Sequence, residues 1–178
     1  DTFERYLVSN GIREYPIHLK LNTGMNRSGL NKNEIPKLLD FFKFQRSSKI
    51  VSLFSHLATA DDPAQDGFTL EQISLFEECA EMIVPKFDHK ILRHILNSAG
   101  IERFPQFCFD MVRLGIVTYG LYPSDEVDKS DEIKPVMSLI SHVSHVKTVD
   151  QGTSISYGGT YVTESPRRIA TVTVGYAD

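Results

Sequence analysis

Lys20 and Arg27 stand on either side of a turn near the start of the chain. Ile17–Leu21 alternates in the manner of a β-strand, and Thr23-Gly24-Met25-Asn26 follows as a turn before the arginine. This spacing places two cations at the carboxyl end of a strand. In α/β barrels the side chains that carry out chemistry lie at that end. The segment therefore predicts a functional site, in which the two cations would destabilise each other if nothing compensated them.

Two further polar positions follow segments with the pattern of strands. His56 comes directly after Ile50–Ser55, and Asn97-Ser98 comes after Ile91–Leu96. A histidine at a strand end is a candidate acid or base, but a histidine that binds loop carbonyls fits the same place. Asn97 and Ser98 are able to bind a phosphate or to cap the next helix. Taken one at a time, these residues favour the structural alternative at both positions.

Arg113, Gly115 and Tyr157 complete the candidate set. Arg113 lies inside an apolar run, where an unpaired guanidinium is costly, so it requires a partner. Gly115, which Ile116 follows, permits close approach to the backbone or marks a bulge. Tyr157 precedes two glycines and could transfer a proton beside a cation, or it could be an ordinary turn tyrosine. Together these residues point to a shared site rather than to separate structural roles.

The elements that must position these residues alternate between strand and helix over residues 1–121. Helices are predicted over 2–10, over 34–44 with Asn33 as cap, and after a capping box at Thr69–Gln72. Strands are predicted at 17–21, 50–54, 91–96 and 112–119. Strands that alternate with helices pair in parallel through right-handed crossovers. We therefore expect an α/β fold that forms the second half of a (β/α)8 barrel.

The character of the chain changes after residue 122. The acidic stretch from Pro123 to Pro135 has the composition of a linker, and strand-type runs follow at 136–149, 154–163 and 168–178. We assign residues 1–122 to the barrel half, 123–135 to a linker, and 136–178 to the start of a mostly antiparallel β domain. The chain begins without methionine and stops inside an apolar run, so we expect it to be a piece of a longer protein.

Composition excludes several classes of protein. The 178 residues carry a net charge of −4 without a basic patch, which argues against nucleic-acid binding. No apolar run approaches the ~20 residues of a membrane helix, so we expect no membrane association. The two cysteines form no disulfide framework, and we expect a cytoplasmic protein. His142 and His145 would point to opposite faces of a strand, and we predict no metal site.

The motifs around these residues resemble signatures of the alanine racemase family and occur in the family's order. They are IHLKLNTGMNRSGL (17–30), FSHLATAD (54–61), HILNSA (94–99), FDMVRLGIVTYGL (109–121), SYGGTY (156–161) and VGYAD (174–178). The resemblance implies a pyridoxal-phosphate enzyme that interconverts L- and D-alanine through a substrate carbanion and two bases, and supplies D-alanine for peptidoglycan. It also implies an α/β barrel, a following β domain, and a homodimer whose active sites are shared between subunits.

The same resemblance implies roles for the candidate residues. The cofactor would be held by residues from successive strand ends, with Asn97, Ser98, Gly115 and Ile116 at its phosphate, Arg113 at its pyridine nitrogen and His56 beside its ring. Arg27 would bind the substrate carboxylate, and Tyr176 would line the substrate entry. Lys20 would be carbamylated and would orient Arg27. Tyr157 would be one of the two bases and would serve the partner's cofactor.

Two alternative functions share these features. An amino-acid decarboxylase or a broad-specificity racemase of the same barrel type would bind the same cofactor, although such decarboxylases place a carboxylate at the pyridine nitrogen instead of an arginine. A non-catalytic cofactor-binding module would keep the fold but has no reason to keep Lys20, Arg27, His56, Arg113 and Tyr157. None of the lysines lies in the family's cofactor-lysine motif, so we expect an enzyme in the full-length parent and an inactive chain in isolation.

Overall fold

The computed structural model describes residues 2–44, 47–126 and 133–175, which belong to two compact units divided between Val136 and Met137. The first unit contains α1 (Thr2–Ser9), β1 (Tyr15–Lys20), α2 (Ile35–Phe44), β2 (Ser48–Phe54), α3 (Asp66–Ile83), β3 (Leu92–His94) and α4 (Ser98–Arg103). The second contains β4 (Val143–Val149), β5 (Ser154–Ile155), β6 (Tyr161–Val162) and β7 (Arg167–Val172).

A parallel sheet in the order β1-β2-β3 forms the centre of the first unit. Its successive strands are joined through α2 and α3, as alternating strand and helix patterns predict. The α/β class is therefore confirmed. The described residues hold three parallel strands and do not form a barrel, so the half-barrel that we expected is not seen.

One extra residue in β2 decides which side chains face the site. Ile17 of β1 pairs with Ile50, but the next residue, His18, pairs with Ser52, so Val51 has no counterpart. Such an insertion changes the face on which the following residues lie. Ile50 is consequently buried in the core, whereas Ser52 lies beside His18 on the opposite face.

The hydrophobic core lies between the sheet and helices α2 and α3. Its fully buried side chains include Leu21, Ile35, Ile50, Leu53, Ile73, Phe76 and Ile83. Each such side chain contributes about 1.5–3 kcal/mol when it is removed from water. The other face of the sheet carries polar and aromatic side chains, namely His18, Lys20, Ser52, Phe54 and His94.

The helix α2 begins differently from the sequence prediction. A 3₁₀ turn, Lys32–Glu34, precedes it, and Asn31 rather than Asn33 is the cap. The backbone N–H of Asn31 donates to the Glu34 carboxylate at 2.9 Å, which completes a capping box. The predicted cap was wrong by two residues because both positions are asparagine and the turn is not visible in the apolar spacing.

The helix α3 begins at Asp66, so the capping box predicted at Thr69–Gln72 was wrong. Thr69 and Gln72 are fully buried within the first turns of the helix. The loop after β2 packs on these turns, and the Thr69 hydroxyl lies 3.0 Å from that of Thr59. Both side chains therefore serve a tertiary contact that sequence spacing does not reveal.

The strand predicted at 112–119 was also wrong. The backbone N–H of Arg113 donates to Leu96 O at 3.1 Å, that of Gly115 donates to Ser98 Oγ at 2.8 Å, and Ile116–Tyr119 is a 3₁₀ helix. The β-branched composition of this segment favours a strand, but its donors are used by the loops at the end of β3. The segment therefore closes over the sheet end and contributes the site's central arginine.

The second unit is antiparallel. β4 pairs with β7 and β5 pairs with β6, which confirms the β character predicted for this part of the chain. Among residues 2–44, 47–126 and 133–175, no helix has the length and apolarity needed to cross a membrane.

Candidate active site

The guanidinium of Arg113 lies at the carboxyl ends of β2 and β3 and ties them together. Its Nη1 donates to His94 Nδ1 at 2.7 Å and to His94 O at 3.3 Å. Its Nη2 donates to the carbonyls of Ser55 at 2.6 Å and Ile95 at 3.1 Å, and to His56 Nδ1 at 3.1 Å. The four Nη protons are thereby used, whereas Nε–H has no acceptor among the described residues. The guanidinium keeps this one donor for a ligand.

His56 is half-buried at the end of β2 and faces three cations. Because a guanidinium has only donors, His56 Nδ1 must accept from Arg113, and the neutral ring carries its proton on Nε2. Burial, and then the charges of Arg113, Arg27 and Lys20, lower the pKa of His56 below 6.5. The ring is therefore neutral near pH 7, with Nε2–H as its remaining donor.

His94, at the end of β3, is a site residue that the sequence analysis quoted in a motif but did not select. Its ring is 4% exposed and stacks on Phe54, with centroids 5.4 Å apart. Burial, and then the charges of Arg113 and His18, lower the pKa of His94 to about 4. The strand register contains the signal for His94. Phe54 of β2 pairs with Lys20 on β1 and with His94 on β3, so His94 lies in the same row of side chains as Lys20.

A cavity of about 380 Å³ brings most of the predicted cofactor residues together. Its wall includes His56, Asn97, Ser98, Arg113, Gly115 and Ile116. The buried Ser98 hydroxyl accepts from Gly115 N, and the Asn97 side chain accepts from Gly100 N at 3.0 Å. Ile116 opens a 3₁₀ helix, so its N–H has no partner within that helix. Hydroxyl and backbone N–H donors at one wall suit an oxyanion such as a phosphate.

Lys20 and Arg27 belong to a loop that closes on itself at the end of β1. Leu30 N donates to Lys20 O at 2.9 Å, and Asn22 N donates to Leu30 O at 2.8 Å. Gly29 has a φ of +120°, and a Cβ there would lie 2.9 Å from the backbone of Asn22, so only glycine fits this closure.

The two loop cations differ in their hydrogen bonding. Lys20 Nζ donates to Ser28 Oγ at 2.9 Å. Arg27 is exposed and has no hydrogen bond or ion pair among the described residues. Both charges nevertheless act on His56, which places them at the same edge of the sheet.

Gln72 holds the His56 loop and is a second residue that the sequence analysis missed. Its Oε1 accepts from Ala58 N at 2.9 Å, and its Nε2 donates to His56 O at 3.1 Å. Arg103 supports the same loop by donating to Ala60 O at 2.8 Å and to both oxygens of Asp66. The available signal for Gln72 was a polar side chain at a buried position of a helix, because such side chains need hydrogen-bond partners.

Tyr157 belongs to the second unit, where it lies on the turn between β5 and β6. Its side chain is fully exposed, and the neighbouring Ser156, Gly158 and Gly159 all have positive φ. The tight turn therefore presents the phenol to the exterior. Tyr176 lies outside the described residues.

These groups form a site that is rich in donors and in positive charge. Arg113, His56 and Ser98 line one cavity, and the charges of Arg27 and Lys20 act on His56. An anionic ligand with a hydrogen-bond acceptor in its ring and a phosphate at one end matches this donor set. Pyridoxal phosphate has both features, so the residues fit that cofactor.

Two family models match the chain. The model described as "Alanine racemase, N-terminal domain" matches residues 6–123, and the model described as "Alanine racemase, C-terminal domain" matches residues 136–178. An alanine racemase of Nostoc sp. is 37% identical over 163 residues, which are 92% of this chain and 42% of that protein.

Solved structures of alanine racemases show the same fold. The enzyme from Bacillus anthracis with bound L-Ala-P superposes with a TM-score of 0.77 at 30% identity, covering 98% of this chain and 47% of that one. The enzyme from Bartonella henselae with covalently bound pyridoxal phosphate gives 0.75 at 25% identity, covering 99% of this chain and 47% of that one. The chain thus spans less than half the length of these relatives.

Proposed function

Because this chain belongs to the alanine racemase family, we propose that it forms part of a pyridoxal-phosphate enzyme that interconverts L- and D-alanine. The arrangement of Arg113 is the observation that carries this proposal. Its Nη protons are taken up by the protein, and Arg113, with Nε–H as its remaining donor, lines the cavity. A pyridine nitrogen can accept from this donor, and because arginine stays protonated the nitrogen would not gain a proton.

The remaining wall would hold the phosphate of the cofactor. Ser98, Ile116 and Asn97 line the cavity and would supply a hydroxyl, a backbone N–H and an amide, while the backbone of Gly115 holds the Ser98 hydroxyl in place. The same wall contains no lysine or arginine other than Arg113. Phosphate binding would therefore rest on hydrogen bonds, with the more distant cations adding a favourable field.

Bound pyridoxal phosphate would supply an electron sink that makes the Cα–H bond of alanine acidic. Arg27 would bind the substrate carboxylate, since it is exposed at the edge of the site and has no partner among the described residues. Lys20, once carbamylated, would orient Arg27 from the other side of the loop. His56 would hold its Nε2–H toward a second proton-transfer group, because its Nδ1 is occupied by Arg113.

Tyr157 would be one of the two bases that racemisation requires, one for each face of the substrate. Its full exposure on a rigid turn suits a side chain that enters the site of another subunit. We accordingly propose a homodimer with shared active sites, in which His56 links Arg113 to the partner's tyrosine. Tyr176 would line the substrate entry of the same enzyme.

The same proposal includes the domain organisation and the cellular role of the full-length protein. Residues 1–122 would be the second half of a (β/α)8 barrel, 123–135 a linker and 136–178 the start of the β domain. The enzyme would act in the cytoplasm and supply D-alanine for peptidoglycan. The family's cofactor lysine would be contributed by a segment other than these residues.

The test uses the full-length protein with pyridoxal phosphate and L-alanine, and measures D-alanine by chiral chromatography together with deuterium uptake at Cα in D₂O. We expect both. Release of CO₂ without D-alanine would favour the decarboxylase alternative, and cofactor binding without either reaction would favour the non-catalytic module.

Ser98→Ala should weaken cofactor affinity about tenfold through the loss of one charge-assisted hydrogen bond. Ser144→Ala, which removes an exposed hydroxyl in the second unit, should not.

A further inference from the structure

We infer that Ser52 is a positioning residue for Arg113, because its hydroxyl holds the ring of His94 in the orientation and tautomer that present Nδ1 to the guanidinium. Ser52 lies within β2 and is fully buried. Its register partners are His18 on β1 and Leu92 on β3, so it stands between the two histidines. None of the roles proposed above involves Ser52 or His18.

The direction of the hydrogen bonds follows from Arg113. A guanidinium has no acceptor, so His94 Nδ1 must accept the 2.7 Å bond from Nη1. The neutral ring then carries its proton on Nε2, and this N–H donates to Ser52 Oγ at 3.3 Å. The low pKa of His94, about 4, keeps the ring neutral near pH 7. Ser52 is therefore the acceptor for a buried donor.

The Ser52 hydroxyl also forms a hydrogen bond with His18. Because the Ser52 oxygen accepts from His94, its own proton is available, and His18 Nδ1 lies 2.6 Å away. We expect His18 to accept this proton through Nδ1 and to carry its own ring proton on Nε2. One chain of hydrogen bonds, all in the same direction, then runs from Arg113 through His94 and Ser52 to the exposed ring of His18.

The Ser52 hydroxyl distinguishes the two flip states of the His94 ring. The ring stacks on Phe54 at an interplanar angle of 6°, and a half-turn about the Cβ–Cγ bond preserves that stacking. The same half-turn places carbon atoms where Nδ1 and Nε2 were, so it breaks the bonds to Arg113 and Ser52 together. Without the hydroxyl, the buried Nε2–H would have no acceptor and only Arg113 would orient the ring.

The consequence for catalysis rests on the proposed racemase function, in which Arg113 Nε–H faces the pyridine nitrogen. Loss of His94 Nδ1 would remove the 2.7 Å acceptor of Nη1 and leave the guanidinium with its four other contacts, so the direction of Nε–H would be less narrowly fixed. The placement of the His94 ring itself does not depend on that function, and it is measurable without cofactor or substrate.

The first measurement is ¹⁵N NMR of the histidine rings in the full-length protein, with signals assigned by replacing His18, His56 and His94 one at a time. We expect His94 and His18 to be Nε2–H tautomers, and His94 Nε2–H to exchange slowly with solvent. A His94 ring protonated on Nδ1 would place its donor against Arg113 and leave Nε2 without a proton for Ser52, and it would overturn the inference. The tautomers are read from the wild-type protein, and the histidine variants serve only to assign its signals.

The second measurement uses variants of β2 and its neighbouring loop. Ser52→Ala should speed the exchange of His94 Nε2–H about tenfold, the equivalent of one lost hydrogen bond, and Ser52→Thr should restore slow exchange. Ser55→Ala is the matched control, since that buried hydroxyl bonds to Thr23 and to Leu21 O instead. Histidine signals that are the same in Ser52→Ala and in Ser55→Ala would refute the inference.

The formation of D-alanine by the same samples separates this inference from the proposed function. If the wild-type protein shows the expected ring signals but no racemisation, the proposed function alone is wrong. If it racemises alanine but its ring signals do not respond to Ser52→Ala, the role of Ser52 alone is wrong.

Discussion

Arg113 Nη2 lies 3.1 Å from His56 Nδ1, and in that contact the guanidinium can only donate. The same Nη2 donates to the carbonyls of Ser55 and Ile95, so His56 is tied to the ends of β2 and β3. The ring is held as one tautomer, with Nε2–H directed away from the arginine. A group held in this way offers its proton to a single partner.

Replacing Arg113 by lysine should lower the free energy of unfolding by about 2–4 kcal/mol, because an ammonium has three donors for five acceptors and leaves buried groups unpaired. Urea denaturation of the full-length protein measures this loss. Arg93→Lys is the control, since its ion pair with Asp110 is partly exposed and is worth less than about 1 kcal/mol. Equal losses in the two variants would contradict the structural role of Arg113.

The stability of the protein should fall as the pH decreases from about 6.5 to about 4. The unfolded chain protonates His94 near pH 6.5, whereas the folded protein does so only near pH 4, so acid favours the unfolded state between these values. The difference corresponds to about 3 kcal/mol. The lowered pKa of His56 acts in the same direction.

His94→Asn tests the assignment of this acid sensitivity. The amide oxygen of asparagine can accept from Arg113 but does not titrate, so the variant should lose stability less steeply than the wild type below pH 6.5. Denaturation curves at pH 7, 5.5 and 4.5 would show the difference. A pH profile parallel to that of the wild type would assign the effect to other groups.

Gln72→Leu should destabilise the protein by about 1–3 kcal/mol, because Ala58 N–H and His56 O lose their partner in a partly buried loop. The displaced His56 should also slow the proposed racemisation. Glu71→Leu, one position earlier on the exposed side of α3, should change stability by less than about 0.5 kcal/mol. Equal thermal unfolding of Gln72→Leu and Glu71→Leu would show that other contacts hold the His56 loop.

Tyr157→Phe in the full-length protein should slow the proposed racemisation on the order of 10²–10⁴-fold, because one of two proton-transfer groups is lost. Equilibrium requires equal slowing in both directions, so the asymmetry should appear as unequal deuterium uptake from L- and D-alanine in D₂O. Tyr161→Phe, in the adjacent strand β6, is the control and should remain close to wild type. Unchanged deuterium uptake in Tyr157→Phe would remove the tyrosine from the mechanism.

The spacing of residues along the chain was sufficient for the general plan of the protein. Alternation of strand and helix patterns predicted the parallel sheet, because a crossover helix must cover each parallel pair. The unfavourable burial of a lone guanidinium predicted that Arg113 has partners. Motif order identified the family, and the positions of His56 and Ser98 after strand-type segments predicted that they lie at one end of the sheet.

Tertiary structure decided the contacts that a linear pattern does not contain. The extra residue Val51 moves Ser52 to the site face, and no local property of β2 encodes this, because strand register depends on the neighbouring strand. Gln72 has the spacing of a capping box, but a packed loop supplies its partners. Residues 112–119 have strand composition, yet their backbone donors are used by Leu96 and Ser98. In each case a long-range hydrogen bond outweighs a local propensity of a few tenths of a kcal/mol.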